Sequence, residues 1–532
     1  MRRVTGLWMG LIMALTAGFA QAADDLAFGS ISDLQAAMTS GRVSSQSLTR
    51  AYLARIEALD RKGPRLNSII ALNPHALADA RALDAERSAG KVRGPLHGVP
   101  ILIKDNIEFA GGVATTAGSL ALKDNVTNRD APLVRRLTDA GAVILGKTNL
   151  SEWANYRSTR SISGWSAVGG LVRNPYALDR GACGSSAGTG AAIAAGFAGG
   201  GIGTETDGSI TCPAALNGLV GLKPTVGLVS RTHIVPISVT QDTAGPMTRN
   251  VADAAAILTA IAGSDPADPA TAEADAHKTD YLKALDANAL KGARIGVLRI
   301  SAGRSPQADA VFEEALAALK AAGAIPVEIK PSGLAAISAA ESVILRTEFK
   351  AGINAYLAGT NPAQVQSRTL ADLIAFNAAE PRELALFGQE TFQASEAGPG
   401  LDDPAYLKAR ETARRLAGPE GVDRMLKEND VVALVAWSGP AGADDPVNGG
   451  RSFGPPSMLA AVSGYPHLTV PMGHVSGLPV GISFMGPAWS EARLLSLGYA
   501  FEQATHARRN PTFPASVSLR PEIAGAYDPP PR

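Results

Sequence analysis

Apolar residues recur at three- and four-residue spacing near the start of the folded chain. Leu48, Tyr52, Leu53, Ile56 and Leu59 line one face after Ser45, which predicts a helix capped by Ser45. An Ala-rich helix is predicted over 74–88. The period then changes. "GVPILIK" (98–104) is a short continuous apolar run, the pattern of a strand buried on both faces. "APLVRRLTDAG" predicts a helix stopped by Gly141, and "AVIL" (142–145) the next buried strand. Further strands are predicted at 293–300, 325–329, 431–437, 467–473 and 479–486, and a helix opens at Ser305-Pro306 with proline in its first position. The last two strands are joined by a short loop and read as an antiparallel hairpin. Helices alternating with buried strands predict a layered α/β fold. The expectation is a single large domain, a mixed β-sheet core covered by helices on both faces.

Residues 181–224 break this rhythm. A Gly/Ser-rich loop leads into a small-residue helix over about 188–197, then a Gly-rich turn, then Ser209. Residues without side-chain bulk let backbone approach backbone or ligand closely. The stretch 438–456 reads as a Gly-, Pro- and Asp-rich loop between strands, of the kind that rims sites, and the Pro-rich tail "YDPPPR" as loose. No repeat of fixed period is visible.

Composition narrows the function classes. The chain has 532 residues, 46% of them hydrophobic, so a large core is available. Basic and acidic residues balance at 49 each, which gives no electrostatic reason to expect nucleic acid or an anionic membrane as partner. The N-terminus has three parts: Arg2 and Arg3, an apolar run from Leu7 to Phe19, and Ala20-Gln21-Ala22. That is the pattern of a secretory signal peptide cleaved near Ala22, too short for a membrane anchor. The expected product is an exported chain, periplasmic or secreted, of residues 23–532. Cys183 and Cys212 are the two cysteines. Export permits a disulfide. Both lie in Gly-rich segments without metal-type spacing, and the reading favours two small buried thiols over a disulfide.

Two motifs mislead. "GAVILGKT" (141–148) matches a phosphate-loop pattern, but a helix precedes Gly141 and the variable positions are strand-like. A phosphate loop has the reverse order. "GSSAG" (184–188) matches G-x-S-x-G, which would make Ser186 a nucleophile, but the residues before it read as loop where that elbow needs a strand. His467 and His474 read as structural.

Taken together, "CGSSAGT" (183–189), "GTETDGSI" (203–210), "GLKPT" (221–225), "GVPILIKDN" (98–106) and "QDTAGPM" (241–247) resemble the amidase signature family over about residues 25–510, with core motifs over about 98–250. The resemblance implies that family's fold and a Ser–Ser–Lys triad. Ser209 would be the nucleophile, Ser185, after a cis peptide bond to Gly184, the proton relay, and Lys104 the base. It implies an oxyanion hole from the backbone N–H groups of Thr206, Asp207, Gly208 and Ser209. This chain departs from the family pattern at Asp207, where glycine is usual, and at Glu205, where aspartate is usual. Physically, lysine is a base only when neutral, and its free pKa near 10.4 must fall by about 3 units for work near neutrality. Burial at the end of an apolar strand supplies such a fall.

"SEWANY" (151–156), "GWSAVGGLVRNPYALDR" (164–180) and "TETDGSITCPAA" (204–215) are most similar to the bacterial peptide amidase branch of the family. The expected function is exported hydrolysis of a small-molecule or peptide amide, in particular the C-terminal amide of peptides, with release of ammonia. No metal, cofactor, nucleic acid or membrane anchor is expected, and the enzyme is expected as a monomer or homo-oligomer without other subunits. Three rival readings stand beside it. One is an amidase for aryl or fatty acyl amides. Another is the amidase-type component of an aminoacyl-tRNA amidotransferase, which export speaks against. The third is a non-catalytic peptide-binding protein.

Overall fold

A computed structural model of the chain describes residues 26–303, 305–438 and 456–516. The signal-peptide reading of 1–22, the body of the 438–456 loop and the C-terminal tail lie outside the described residues.

The core is one mixed sheet of eleven strands. In chain order these are β1 (Ile69–Leu72), β2 (Pro100–Lys104), β3 (Val143–Thr148), β4 (Gly200–Glu205), β5 (Val220–Lys223), β6 (Thr243–Thr248), β7 (Arg294–Leu298), β8 (Ile325–Ile329), β9 (Ala433–Ser438), β10 (His467–Val475) and β11 (Leu478–Met485). Across the sheet they run β1-β3-β2-β4-β6-β5-β10-β11-β9-β7-β8. β2 lies parallel to both β3 and β4, so its residues are flanked on two sides by backbone partners. Ile101, Leu102 and Ile103 are buried, as a continuous apolar run in a sheet covered on both faces requires. β10 and β11 form the expected antiparallel hairpin.

The predicted strands at 325–329 and 467–486 are present nearly as read, and the phosphate-loop lookalike is indeed strand β3. Lys147 within it is buried and pairs with Asp105 at 3.1 Å. Other expectations need correction. The cap of helix Ser45–Ile56 is Ser44, whose side chain accepts from Ser47 N–H. The Ser45 hydroxyl instead donates to the Gly98 carbonyl at 2.7 Å. The small-residue helix is shorter than read: α1 spans Ala187–Ala194. The Gly-rich stretch after it, read as a turn, contains β4. Gly-rich strands lack the β-branched signature because neighbours occupy the side-chain space. A Cβ on Gly203 would lie 2.8 Å from the Ser186 hydroxyl, and one on Gly188 2.3 Å from the Asn149 carbonyl oxygen. The favoured reading of the cysteines as free thiols is also wrong. Cys183 and Cys212 form a disulfide with a Cα–Cα distance of 6.0 Å.

Candidate active site

Four pieces of chain meet at the ends of β2 and β4. Lys104 is the last residue of β2, and the apolar run before it carries it fully into the interior. Its Nζ donates to Ser185 Oγ at 2.7 Å, to Thr204 Oγ1 at 2.8 Å and to the Thr204 carbonyl at 3.3 Å. Burial pushes the Lys104 amine down to about 7, while the charges of Asp242 and Glu205 pull it back up. Thr204 Oγ1 is fixed in turn by Asn106 Nδ2 at 3.0 Å.

Ser185 lies on the loop before α1, after a cis peptide bond with Gly184. Its carbonyl accepts Ser151 N–H at 3.0 Å. Ser186 is a brace. Its hydroxyl donates to the Thr204 carbonyl at 3.1 Å and accepts Thr204 N–H at 3.2 Å, and its own N–H donates to the Ser209 carbonyl at 3.2 Å.

Ser209 sits on the turn between β4 and α2 (Thr211–Leu216), 8% exposed. Gly208 before it adopts φ +78°, a left-handed conformation that costs glycine little. The departure at Glu205 has a structural use. Its buried carboxylate accepts Ile210 N–H at 2.7 Å and Thr211 N–H and hydroxyl at 2.9 and 3.2 Å, pinning the turn after Ser209. The Asp207 carboxylate accepts the Ser457 hydroxyl, and desolvation together with the nearby Glu341 holds its carboxyl well above the usual range. The Thr206 hydroxyl donates to Asp242 at 2.5 Å, and its carbonyl accepts Gln241 Nε2 at 3.3 Å. Asp242 also accepts N–H groups of Ile237 and Ser238 at 2.8 and 2.9 Å, and burial pushes it up to about 6.

The structure thus brings Lys104 and Ser185 into direct contact and places Ser209 beside them through backbone. Among the described residues the Ser209 hydroxyl itself makes no hydrogen bond. A neutral amine against one alcohol, with a second alcohol on an adjoining turn, can move a proton from nucleophile to base. The backbone N–H groups of Thr206, Asp207, Gly208 and Ser209 share that turn. Ser186, flagged by the misleading G-x-S-x-G match as a nucleophile, is a brace instead, and Thr204, Asn106 and Asp242 were not legible as site residues. Only the "DN" after Lys104 and the "QDT" of 241–243 hinted at two of them. His467 is buried, bonded to Ser483 Oγ at 2.6 Å and pushed down to about 3, as a structural histidine should be.

A cavity of about 420 Å³ reaches the site at Asn106, Thr204 and Thr206, with Ala154, Ile234 and Ile237 among its apolar walls. A larger one of about 990 Å³ touches the site only at Gln241; neither cavity is lined by Lys104, Ser185 or Ser209, and the smaller is the better candidate for substrate because Asn106, Thr204, Thr206 and Asp242 all line it.

Comparison with known proteins places the chain among amidases. A family model described as Amidase matches residues 47–495. A probable amidase of Arabidopsis thaliana is 38% identical over 501 residues, 91% of each chain. Among solved structures, the native peptide amidase of Stenotrophomonas maltophilia superposes with a TM-score of 0.87 at 53% identity, covering 92% of this chain and 99% of that one. An amidase family protein of Bacillus anthracis superposes with a TM-score of 0.85 at 36% identity, covering 93% of this chain and 94% of that one.

Proposed function

The chain belongs to the amidase family, and from that premise we propose that it is an exported hydrolase of the C-terminal amides of peptides, acting through Lys104, Ser185 and Ser209. The observation that carries the proposal is the fully buried Lys104 with its Nζ 2.7 Å from Ser185 Oγ. With a pKa near 7, about half of the amine is neutral at pH 7, roughly a thousandfold more than in free lysine. Ser209 Oγ attacks the amide carbon. Ser185 takes the proton from Ser209 and passes its own to Lys104. The developing oxyanion is held by N–H groups of Thr206, Asp207, Gly208 and Ser209, donors whose individual loss typically costs about 10²–10³ in rate. The relay returns the proton to the leaving nitrogen, and ammonia departs. Water then attacks the acyl ester by the same relay, giving the acid and free Ser209. The sum is amide plus water to carboxylic acid plus ammonia.

The similarity to the Stenotrophomonas peptide amidase supports the peptide amide as substrate. The Arg2/Arg3, apolar and Ala-Gln-Ala pattern supports export. Ammonia release from peptide amides, aryl amides and fatty acyl amides, measured side by side, tests the reading. A clear preference for peptide amides supports it. Preference for another acyl class replaces the substrate. Binding without ammonia release points to a peptide-binding protein.

A further inference from the structure

The two serines lie on segments joined at three points. Ser186 N–H donates to the Ser209 carbonyl at 3.2 Å. Asn217 Nδ2, buried, donates to the Ala182 carbonyl at 2.9 Å and to the Pro213 carbonyl at 2.7 Å. The third tie is covalent. The Cys183–Cys212 disulfide leaves the chain two residues before Ser185 and re-enters it three residues after Ser209. Since no hydrogen bond among the described residues joins the two hydroxyls, their spacing rests on the backbone of these segments. Cys183 holds φ +55°, a left-handed conformation uncommon outside glycine, which fits a residue held by its surroundings. It is half-buried while Cys212 is buried.

We propose that the Cys183–Cys212 disulfide is a positioning element for the Ser185–Ser209 pair, so that the fully active site forms only in the oxidised protein. The proposal rests on the amide-hydrolase reading above. In reduction, a dithiol gives two electrons and two protons to the cystine. The S–S bond breaks, two cysteine thiols form, and the dithiol closes to its own disulfide. The Ser186 and Asn217 ties remain, so the fold persists while the serine segments gain freedom. A displacement of about 1 Å at reacting atoms can cost about 10²-fold in rate. A chain holding thiols, as in a reducing cytoplasm, is then a slow enzyme, and export to an oxidising compartment completes it.

The test uses the full-length purified protein, oxidised and after dithiothreitol, with thiol titration and near-UV circular dichroism confirming reduction without unfolding. The rate of Ser209 labelling by a fluorophosphonate and the kcat and KM for a peptide amide are then measured. The expected result is a fall of about 10- to 100-fold in labelling rate and kcat, KM within about twofold, and recovery on reoxidation. The double variant Cys183→Ser/Cys212→Ser should match the reduced protein and ignore dithiothreitol. Unchanged labelling and kcat in the reduced, folded protein overturn the proposal, as does a loss that tracks unfolding alone. Disulfide-dependent labelling without ammonia release from any amide sinks the amide reading and leaves the positioning role standing. No labelling of the oxidised protein overturns both.

Discussion

The Asp242 carboxylate accepts the Thr206 hydroxyl across 2.5 Å, joining a buried charge to the turn that carries Ser209. The same charge favours the ammonium form of Lys104 and is the foremost influence opposing its burial. In the proposed mechanism the neutral amine is the base, so activity should be present above about pH 7 and be lost as pH falls through the Lys104 value. Asp242→Asn removes a negative charge, disfavours the ammonium and lowers that value. The acid limb of kcat/KM against pH should therefore move down, by up to about one pH unit for a charge pair partly screened by its surroundings. An upward shift contradicts the assignment.

Removal of the base gives a second prediction. Lys104→Ala should lower kcat by about 10²–10⁴-fold, the usual range for a positioned general base. KM should change little, because Lys104 lies under Ser185 and is fully buried. Ser185→Ala should fall in the same range, and the double variant by much less than the product, as expected if the two act as the single relay proposed. Steady-state ammonia release checks all three.

Glu205 carries a third. Its carboxylate accepts the N–H groups of Ile210 and Thr211. Glu205→Ala leaves both buried donors without that acceptor, each at a cost of about 1–3 kcal/mol. The melting temperature should drop, and kcat with it, since the turn holding Ser209 loses its anchor. Glu205→Gln keeps one acceptor oxygen and should lose less of both in thermal unfolding and activity assays.

Much of the architecture could be read from the apolar runs, because β2, β3 and the β10–β11 hairpin are buried on both faces and say so in their composition. β4 could not. Its glycines are set by what presses on them, such as the Ser186 hydroxyl at Gly203, and no local periodicity reports a distant neighbour. The same holds for the site. Lys104, Ser185 and Ser209 were visible through motif resemblance, whereas Thr204 and Asn106 act only through contacts made 98–100 residues away. The disulfide was missed because two cysteines 29 residues apart in Gly-rich segments carry no local signal that the fold brings them together.

Packing at Gly188 gives a fourth prediction. A Cβ there would lie 2.3 Å from the Asn149 carbonyl oxygen and 2.4 Å from that of Ser68, both backbone atoms that cannot step aside. Gly188→Ala should destabilise the protein by about 1–3 kcal/mol or more, as overpacking does, seen as a lower denaturant midpoint.

The cavity beside Thr206 gives a fifth. Ile237→Trp should fill part of its apolar volume. The kcat/KM for peptide amides ending in a large apolar residue should fall by about tenfold or more, while that for glycinamide peptides stays within about twofold. Equal losses for both would place the acyl side chain elsewhere.

The most direct measurement is intact-protein and peptide-level mass spectrometry after rapid mixing with a peptide amide and acid quench. The account predicts an acyl adduct on the peptide containing Ser209, absent in Ser209→Ala and formed far more slowly in Lys104→Ala. An adduct on another residue, or undiminished acylation without the Lys104 amine, would contradict it.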